Sequence, residues 1–128
     1  MDVLLDSHSL IWALDNPNML RPVAAATLRD PKNRLHLSVA SVWEIAIKVA
    51  KGRVPLSLPF RMWMEKAILD LGLVLLPITL DHAERLLSLA FHHRDPFDRM
   101  LIAQSIEEDW PIITSDVVFK KYPVRVIW

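Results

Sequence analysis

Cysteine is absent from the 128 residues, and glycine occurs only at Gly52 and Gly72. Without cysteine the chain has no disulfide framework, no thiolate zinc site and no thiol nucleophile. Two isolated glycines cannot build a P-loop or a G-x-G-x-x-G phosphate cradle. An excess of one charge is also missing. Fifteen Lys+Arg stand against fifteen Asp+Glu, so gross positive charge alone does not grip nucleic acid. Long apolar runs are lacking too. The longest spans residues 71–80 and is interrupted by Pro77, far short of the ~20 residues a membrane helix needs. Two acids among the first six residues are wrong for the basic start of a secretory leader. The expectation is a soluble cytoplasmic protein with no membrane partner. What is present is apolar side chain, 52% of the sequence, which excludes disorder. The length suits one domain over residues 1–128, able to bury roughly two-thirds of its unfolded surface.

Short apolar runs alternate with amphipathic stretches. Val3-Leu4-Leu5 reads as a buried strand, with Asp6-Ser7 as a helix start. Residues 9–14 and 23–29 read as short helices, closed by Asp15-Asn16-Pro17-Asn18 and Asp30-Pro31. A strand is expected over 35–38, then an amphipathic helix over 42–51 ended by Gly52. Pro59 opens a helix running to about Leu71, and a buried strand follows over 73–76. Helices are expected over 80–91 and 97–109, and strands over 112–114 and 124–127. Strands alternating with helices mean α/β, with a mostly parallel sheet covered on both faces. Sites in such sheets form beyond the carboxyl ends of the strands.

Four acids lie at such junctions. Asp6 follows the first strand, Glu44 lies in the first turn of the helix after the second, Asp98 opens the helix over 97–109, and Asp116 follows Ile112-Ile113-Thr114. Crowded carboxylates repel one another, and a hard divalent cation relieves that repulsion because Mg²⁺ and Mn²⁺ prefer oxygen ligands. Each acid is equally readable as a helix cap. Ser41-Val42-Trp43-Glu44 matches a capping box, and Asp95-Pro96-Phe97-Asp98 satisfies the rules for a helix start. Capping alone would explain the pattern.

The ordered set resembles the PIN-domain nucleases, and within them the VapC-type toxins of toxin–antitoxin pairs. Val3-Leu4-Leu5-Asp6-Ser7-His8 is similar to the family's first strand and its Asp. The stretch from Ser38 to Ala46 resembles the segment carrying its Glu, and Ile113-Thr114-Ser115-Asp116 with Phe119 its closing T-x-D-x-x-F. The most specific piece is Asp95-Pro96-Phe97-Asp98-Arg99-Met100-Leu101-Ile102-Ala103-Gln104, which resembles the D-P-F-D-R-x-L-I-A-Q block of one VapC-like branch. The resemblance covers essentially the whole chain. It implies a PIN-like α/β fold, a parallel sheet of order 3-2-1-4-5 flanked by helices. It also implies Mg²⁺- or Mn²⁺-dependent cleavage of RNA, a homodimer and an antitoxin partner docking on an apolar groove. By position, Asp6, Glu44, Asp98 and Asp116 become the metal-binding and catalytic acids. Asp95 matches only the branch block and is placed second, behind its reading as an N-cap.

Lesser candidates surround this set. Arg99 is able to clamp a phosphate or to pair with a neighbouring acid. Ser115 and His8 neighbour the acids, although a histidine on a short helix is more often structural. His92-His93 lacks partners at metal-ligand spacing and reads as loop surface. Met62-Trp63-Met64 and Trp12 read as core. Residues 1–64 hold eight Lys/Arg against five Asp/Glu, and residues 65–128 hold seven against ten. Lys48, Lys51 and Arg53, with Arg61 and Lys66, suggest a positive rim for RNA. The plainer reading is a solvated helix face with Glu44 and Lys48 as an i,i+4 pair. Two rivals stand beside the nuclease: a non-catalytic PIN-like domain binding RNA or protein, and a receiver-like signalling domain. The second is weakened because Asp6 is followed by Ser7-His8 rather than by another acid.

Overall fold

A computed structural model describes residues 1–128. Its five strands, β1 (Asp2–Leu5), β2 (Arg34–Ser38), β3 (Val74–Leu76), β4 (Ile112–Ile113) and β5 (Val126–Ile127), form one sheet of order β3-β2-β1-β4-β5. Every neighbouring pair is parallel. This is the order that the resemblance implied. It excludes the receiver-like reading, whose doubly wound order is 2-1-3-4-5.

The helices are α1 (Ser7–Asp15), α2 (Pro22–Arg29), α3 (Val39–Ala50), α4 (Phe60–Leu71), α5 (Leu80–Arg85) and α6 (Pro96–Glu108). Alternation along β1 explains the layering, because successive side chains of a strand point to opposite faces. Val3 and Leu5 join Leu10, Leu28, Ile45, Trp63 and Ala67 in one core beneath α1 to α4. Leu4 faces the other way, into a core with Leu101, Ile102, Ile112, Phe119 and Tyr122. A strand covered on both faces must be apolar throughout, and β1 is.

Several expectations shift. Helix α3 begins at Val39, not at residue 42, because Ser38 at the end of β2 accepts a hydrogen bond from the Ala40 N–H at 3.1 Å. Glu44 therefore lies in the second turn, and the capping box with Ser41 does not form. The helix expected over 80–91 ends at Arg85, with a 3₁₀ turn at Leu86–Ser88. Beyond it, the carbonyls of Leu89, Ala90 and His93 accept hydrogen bonds from the Arg99 guanidinium instead of from a helix. Strand β3 is an edge, so Val74 and Leu75 are exposed rather than buried. Trp63 and Met64 are core, but Met62 is exposed and Trp12 only half-buried. No helix is long and apolar enough to cross a membrane.

Candidate metal centre at the carboxyl edge of the sheet

The chain leaves β1 in both directions across the sheet, towards β2 and towards β4, so the carboxyl ends of β1 and β4 flank a topological switch point. Asp6 sits there as the N-cap of α1. Its Oδ1 accepts from the Ser9 N–H at 2.7 Å, and its Oδ2 accepts from the Thr114 hydroxyl at 2.5 Å. The residue is 7% exposed. Burial pushes its carboxyl above the ordinary value, and the hydrogen bonds from Thr114 and Ser9 act against that shift.

Glu44 reaches the same edge from the buried face of α3. Its Oε1 accepts from the Ser7 hydroxyl at 2.5 Å, and its Oε2 lies 3.3 Å from Lys48 Nζ. Asp98 stands in the first turn of α6 and joins two clusters. Its carboxylate lies within 4.8 Å of those of Glu44 and Asp95, and also of His93 and Asp116. Burial, then the negative charges of Asp95 and Glu44, push the Asp98 carboxyl up to about 7, with His93 opposing and Asp6 adding a smaller upward push.

The two readings of these acids prove compatible. Asp95 Oδ1 caps α6 by accepting from the N–H groups of Phe97 and Asp98, at 2.9 and 3.0 Å. Asp116 Oδ1 likewise accepts from the Val118 N–H at 2.9 Å, and its other oxygen points towards His93. Capping one oxygen fixes the carboxylate and leaves the second free for a ligand. Four carboxylates around Asp98 with little cationic compensation form a hard-oxygen donor set that suits a divalent cation.

His93 corrects the loop-surface reading. Its Nε2 lies 2.8 Å from Asp98 Oδ2 and 3.6 Å from Asp116 Oδ2. The Asp95 N–H donates to Nδ1 at 3.1 Å, so the neutral ring carries its proton on Nε2, facing the two carboxylates. Spacing alone conceals this, because a bend over residues 91–92 and the α6 cap turn the ring inward. Ser7 and Thr114, the donors to Glu44 and Asp6, were also missed as site residues. Their signal was adjacency, one beside Asp6 and the other two positions before Asp116.

Arg99 is a second correction. It neither clamps a phosphate nor pairs with an acid. It is buried, its guanidinium donates to three carbonyls, and it lies 4.0 Å from the centre of the Phe91 ring. A charge spent on backbone carbonyls is structural. His8 is exposed and tilts against Trp12. Ser115 lines a small cleft beside Asp116. Of the expected basic rim, Lys48 is engaged with Glu44, whereas Lys51 and Arg53 are exposed past the end of α3. Seven helical residues separate Glu44 from Lys51, roughly 10 Å along the axis, so those two are not gathered at the acids.

Comparison with known proteins agrees with this geometry. Ribonuclease VapC22 of Mycobacterium tuberculosis is 28% identical over 114 residues, spanning 89% of this chain and 86% of the relative. A chain in the crystal structure of VapBC2 from Rickettsia felis, bound to a DNA fragment from its promoter, superposes with a TM-score of 0.74 at 15% identity, covering 98% of this chain and 97% of that one. A chain of FitAcB from Neisseria gonorrhoeae gives 0.65 at 19% identity, covering 97% and 95%. The PIN domain family model matches residues 3–124, a span that holds every strand junction and every acid described above except none outside it. With the sheet order, the acids at the switch point and the match in accord, the chain belongs to the PIN-domain family.

Proposed function

We propose that the chain is a metal-dependent endoribonuclease of the VapC kind, the toxin of a pair restrained by a protein antitoxin. One observation carries the reading: Asp98 stands within 4.8 Å of Glu44 and Asp95 on one side and of His93 and Asp116 on the other, at the switch point. The name ribonuclease borne by the VapC22 relative supports the RNA substrate. Asp6, Glu44, Asp98 and Asp116 are the residues that would hold Mg²⁺ or Mn²⁺. Such a cation, when bound, supplies charge for the phosphodiester and lowers the pKa of a bound water.

The chain's own groups have definite parts. Ser7 and Thr114 each fix one oxygen of Glu44 and Asp6, so these carboxylates enter the reaction already oriented. His93 presents its Nε2 proton to Asp98 and lessens the repulsion there. Attack of water in line with the leaving oxygen breaks the P–O3′ bond, and the 3′ oxygen takes up a proton. The expected products carry 5′-phosphate and 3′-hydroxyl ends.

The antitoxin reading is supported by solved neighbours that are toxin–antitoxin complexes, including VapBC-5 of Mycobacterium tuberculosis. An apolar groove between α3 and α4, lined by Val42, Phe60, Met64, Ile68 and Leu75, offers such a partner a surface. A second copy of the chain is the other expected partner, with exposed Leu80, Leu87 and Phe91 as apolar surface for it. The deciding experiment is RNA cleavage with Mn²⁺ alongside calorimetric titration of the ion. Wild type is expected to cleave and to bind Mn²⁺, and Asp6→Asn and Asp98→Asn to be inert. Undiminished cleavage by both variants overturns the proposed site.

A further inference from the structure

We propose that a single RNA strand crosses the acid cluster along the carboxyl edge of the sheet, with a base stacked on Trp43 and Phe97 at one end and a phosphate held by Arg21 and Lys120 at the other. The proposal rests on the RNA-cleaving reading above and adds where the strand lies.

The sheet order sets the direction. Helix α3 follows β2, on one side of β1, while residues 114–120 follow β4 and Trp128 follows β5, on the other side. Asp6 lies between them. A substrate spanning the acids therefore meets α3 at one end and the β4–β5 side at the other.

At the α3 end, Trp43 immediately precedes Glu44 and Phe97 immediately precedes Asp98. Their rings meet edge to face, with centroids 5.2 Å apart at 74°, bridging the two helices that carry those acids. Trp43 is 63% exposed, whereas the other four tryptophans are buried or half-buried. A large ring left open beside a phosphodiester site has the chemistry of a stacking platform. Bases stack on aromatic faces whatever their identity, and this requires an unpaired strand because the bases of a duplex are already stacked.

At the other end, a cleft of about 190 Å³ is lined by Arg21, Thr114, Ser115, Asp116, Lys120 and Trp128, with Val117. It shares Asp116 with the acid cluster. Arg21 and Lys120 form no ion pair with any acid of the chain, unlike Lys48, and are not spent on backbone, unlike Arg99. Two unpaired cations beside a catalytic carboxylate suit the phosphate next along the strand.

The test measures binding of a labelled mixed-sequence single-stranded RNA of about twelve nucleotides, with Ca²⁺ present to hold it uncleaved, and of the same RNA as a duplex. Trp43→Ala is expected to weaken single-strand binding by about five- to a hundredfold, with Trp43→Phe retaining most of the affinity and the duplex unaffected. Arg21→Ala with Lys120→Ala is expected to lower the slope of log K against log salt by about 1.4, at ~0.7 per lost contact on a single strand. Trp43→Ala should leave that slope unchanged. Equal affinities and slopes across all variants overturn the track. So does a Trp43→Ala variant that turns a dimer into monomers on sedimentation while RNA affinity per protomer is unchanged, since the pair then belongs to a protein interface. Cleavage with Mn²⁺ separates the two levels: active wild type with unaltered variants removes only the track, whereas a wild type that neither binds nor cleaves RNA removes the nuclease reading with it.

Discussion

The two edges of the sheet carry the same pair of residues with opposite results. At the amino edge, His36 Nε2 lies 2.8 Å from Asp2 Oδ1, and at the carboxyl edge His93 Nε2 lies 2.8 Å from Asp98 Oδ2. Asp2 titrates below its ordinary value, chiefly through the hydrogen bond from His36, with Arg34 and the chain amine helping. Asp98 is pushed up to about 7 by burial and by the charges of Asp95 and Glu44, which outweigh its histidine. A histidine–aspartate contact is therefore not informative by itself. At the amino edge the surroundings are cationic and open, so the carboxylate stays charged. At the carboxyl edge they are anionic and enclosed, so the site is short of positive charge.

The largest expected effect comes from removing that difference. Asp98→Asn should lower RNA cleavage by at least about a hundredfold, and Asp2→Asn should leave it within about twofold, as read by initial rates with Mn²⁺. A comparable loss in Asp2→Asn would mean that the two edges are not functionally distinct. Next comes His93→Ala, expected to reduce Mn²⁺ affinity or cleavage by about 10- to 100-fold, the range for groups that orient metal-binding carboxylates. The corresponding His36→Ala should affect stability instead, because that ring stacks on Trp110 at 4.0 Å.

The pH response separates the edges by sign. In the folded chain without metal Asp98 keeps its proton up to about 7, whereas in the unfolded chain it loses it near 3.8. The folded state therefore binds more protons between those values, and stability falls as pH rises across this window. Asp2 behaves oppositely. Its folded value lies below 3.8, so its contribution is present above that value and is lost as pH falls through the folded one. Thermal melting in a chelator should show a decline from pH 5 to pH 8 of roughly 5 °C. Asp98→Asn should remove that decline, and saturating Mn²⁺ should reverse it. The smallest effect is expected on the outlying cations: Lys51→Ala with Arg53→Ala should alter RNA cleavage by less than about threefold, as those residues lie past the end of α3.

How much of this was legible in the sequence follows from the range of each interaction. Val3-Leu4-Leu5 announced a strand covered on both faces, and Asp95-Pro96-Phe97-Asp98 a helix start, because both patterns are local. The start of α3 was misplaced by three residues because Ser38 and Ser41 are both able to cap, and only the end of β2 selects Ser38. The helix expected over 80–91 was overextended because Arg99, more than ten residues ahead, takes the Leu89 carbonyl. Glu44 was recognised as a site acid for partly the wrong reason. It does not cap α3, and its hydroxyl partner, Ser7, is 37 residues away.

The sequence by itself determined the class of chemistry. It has no thiol and no glycine cradle, and it places carboxylates at strand ends and helix starts, which leaves hard-oxygen binding as the route to phosphate. Local patterns sufficed for that, since residue type and position along an element decide which donors exist. The tertiary structure decided which donors meet and what their protons do. Asp98 becomes a shared carboxylate only when α3, α6 and the end of β4 converge, and His93 and Arg99 exchange their expected roles only in the folded loop between them. The physical reason is that electrostatic energies depend on distance and burial, and neither is a property of the chain until it has folded.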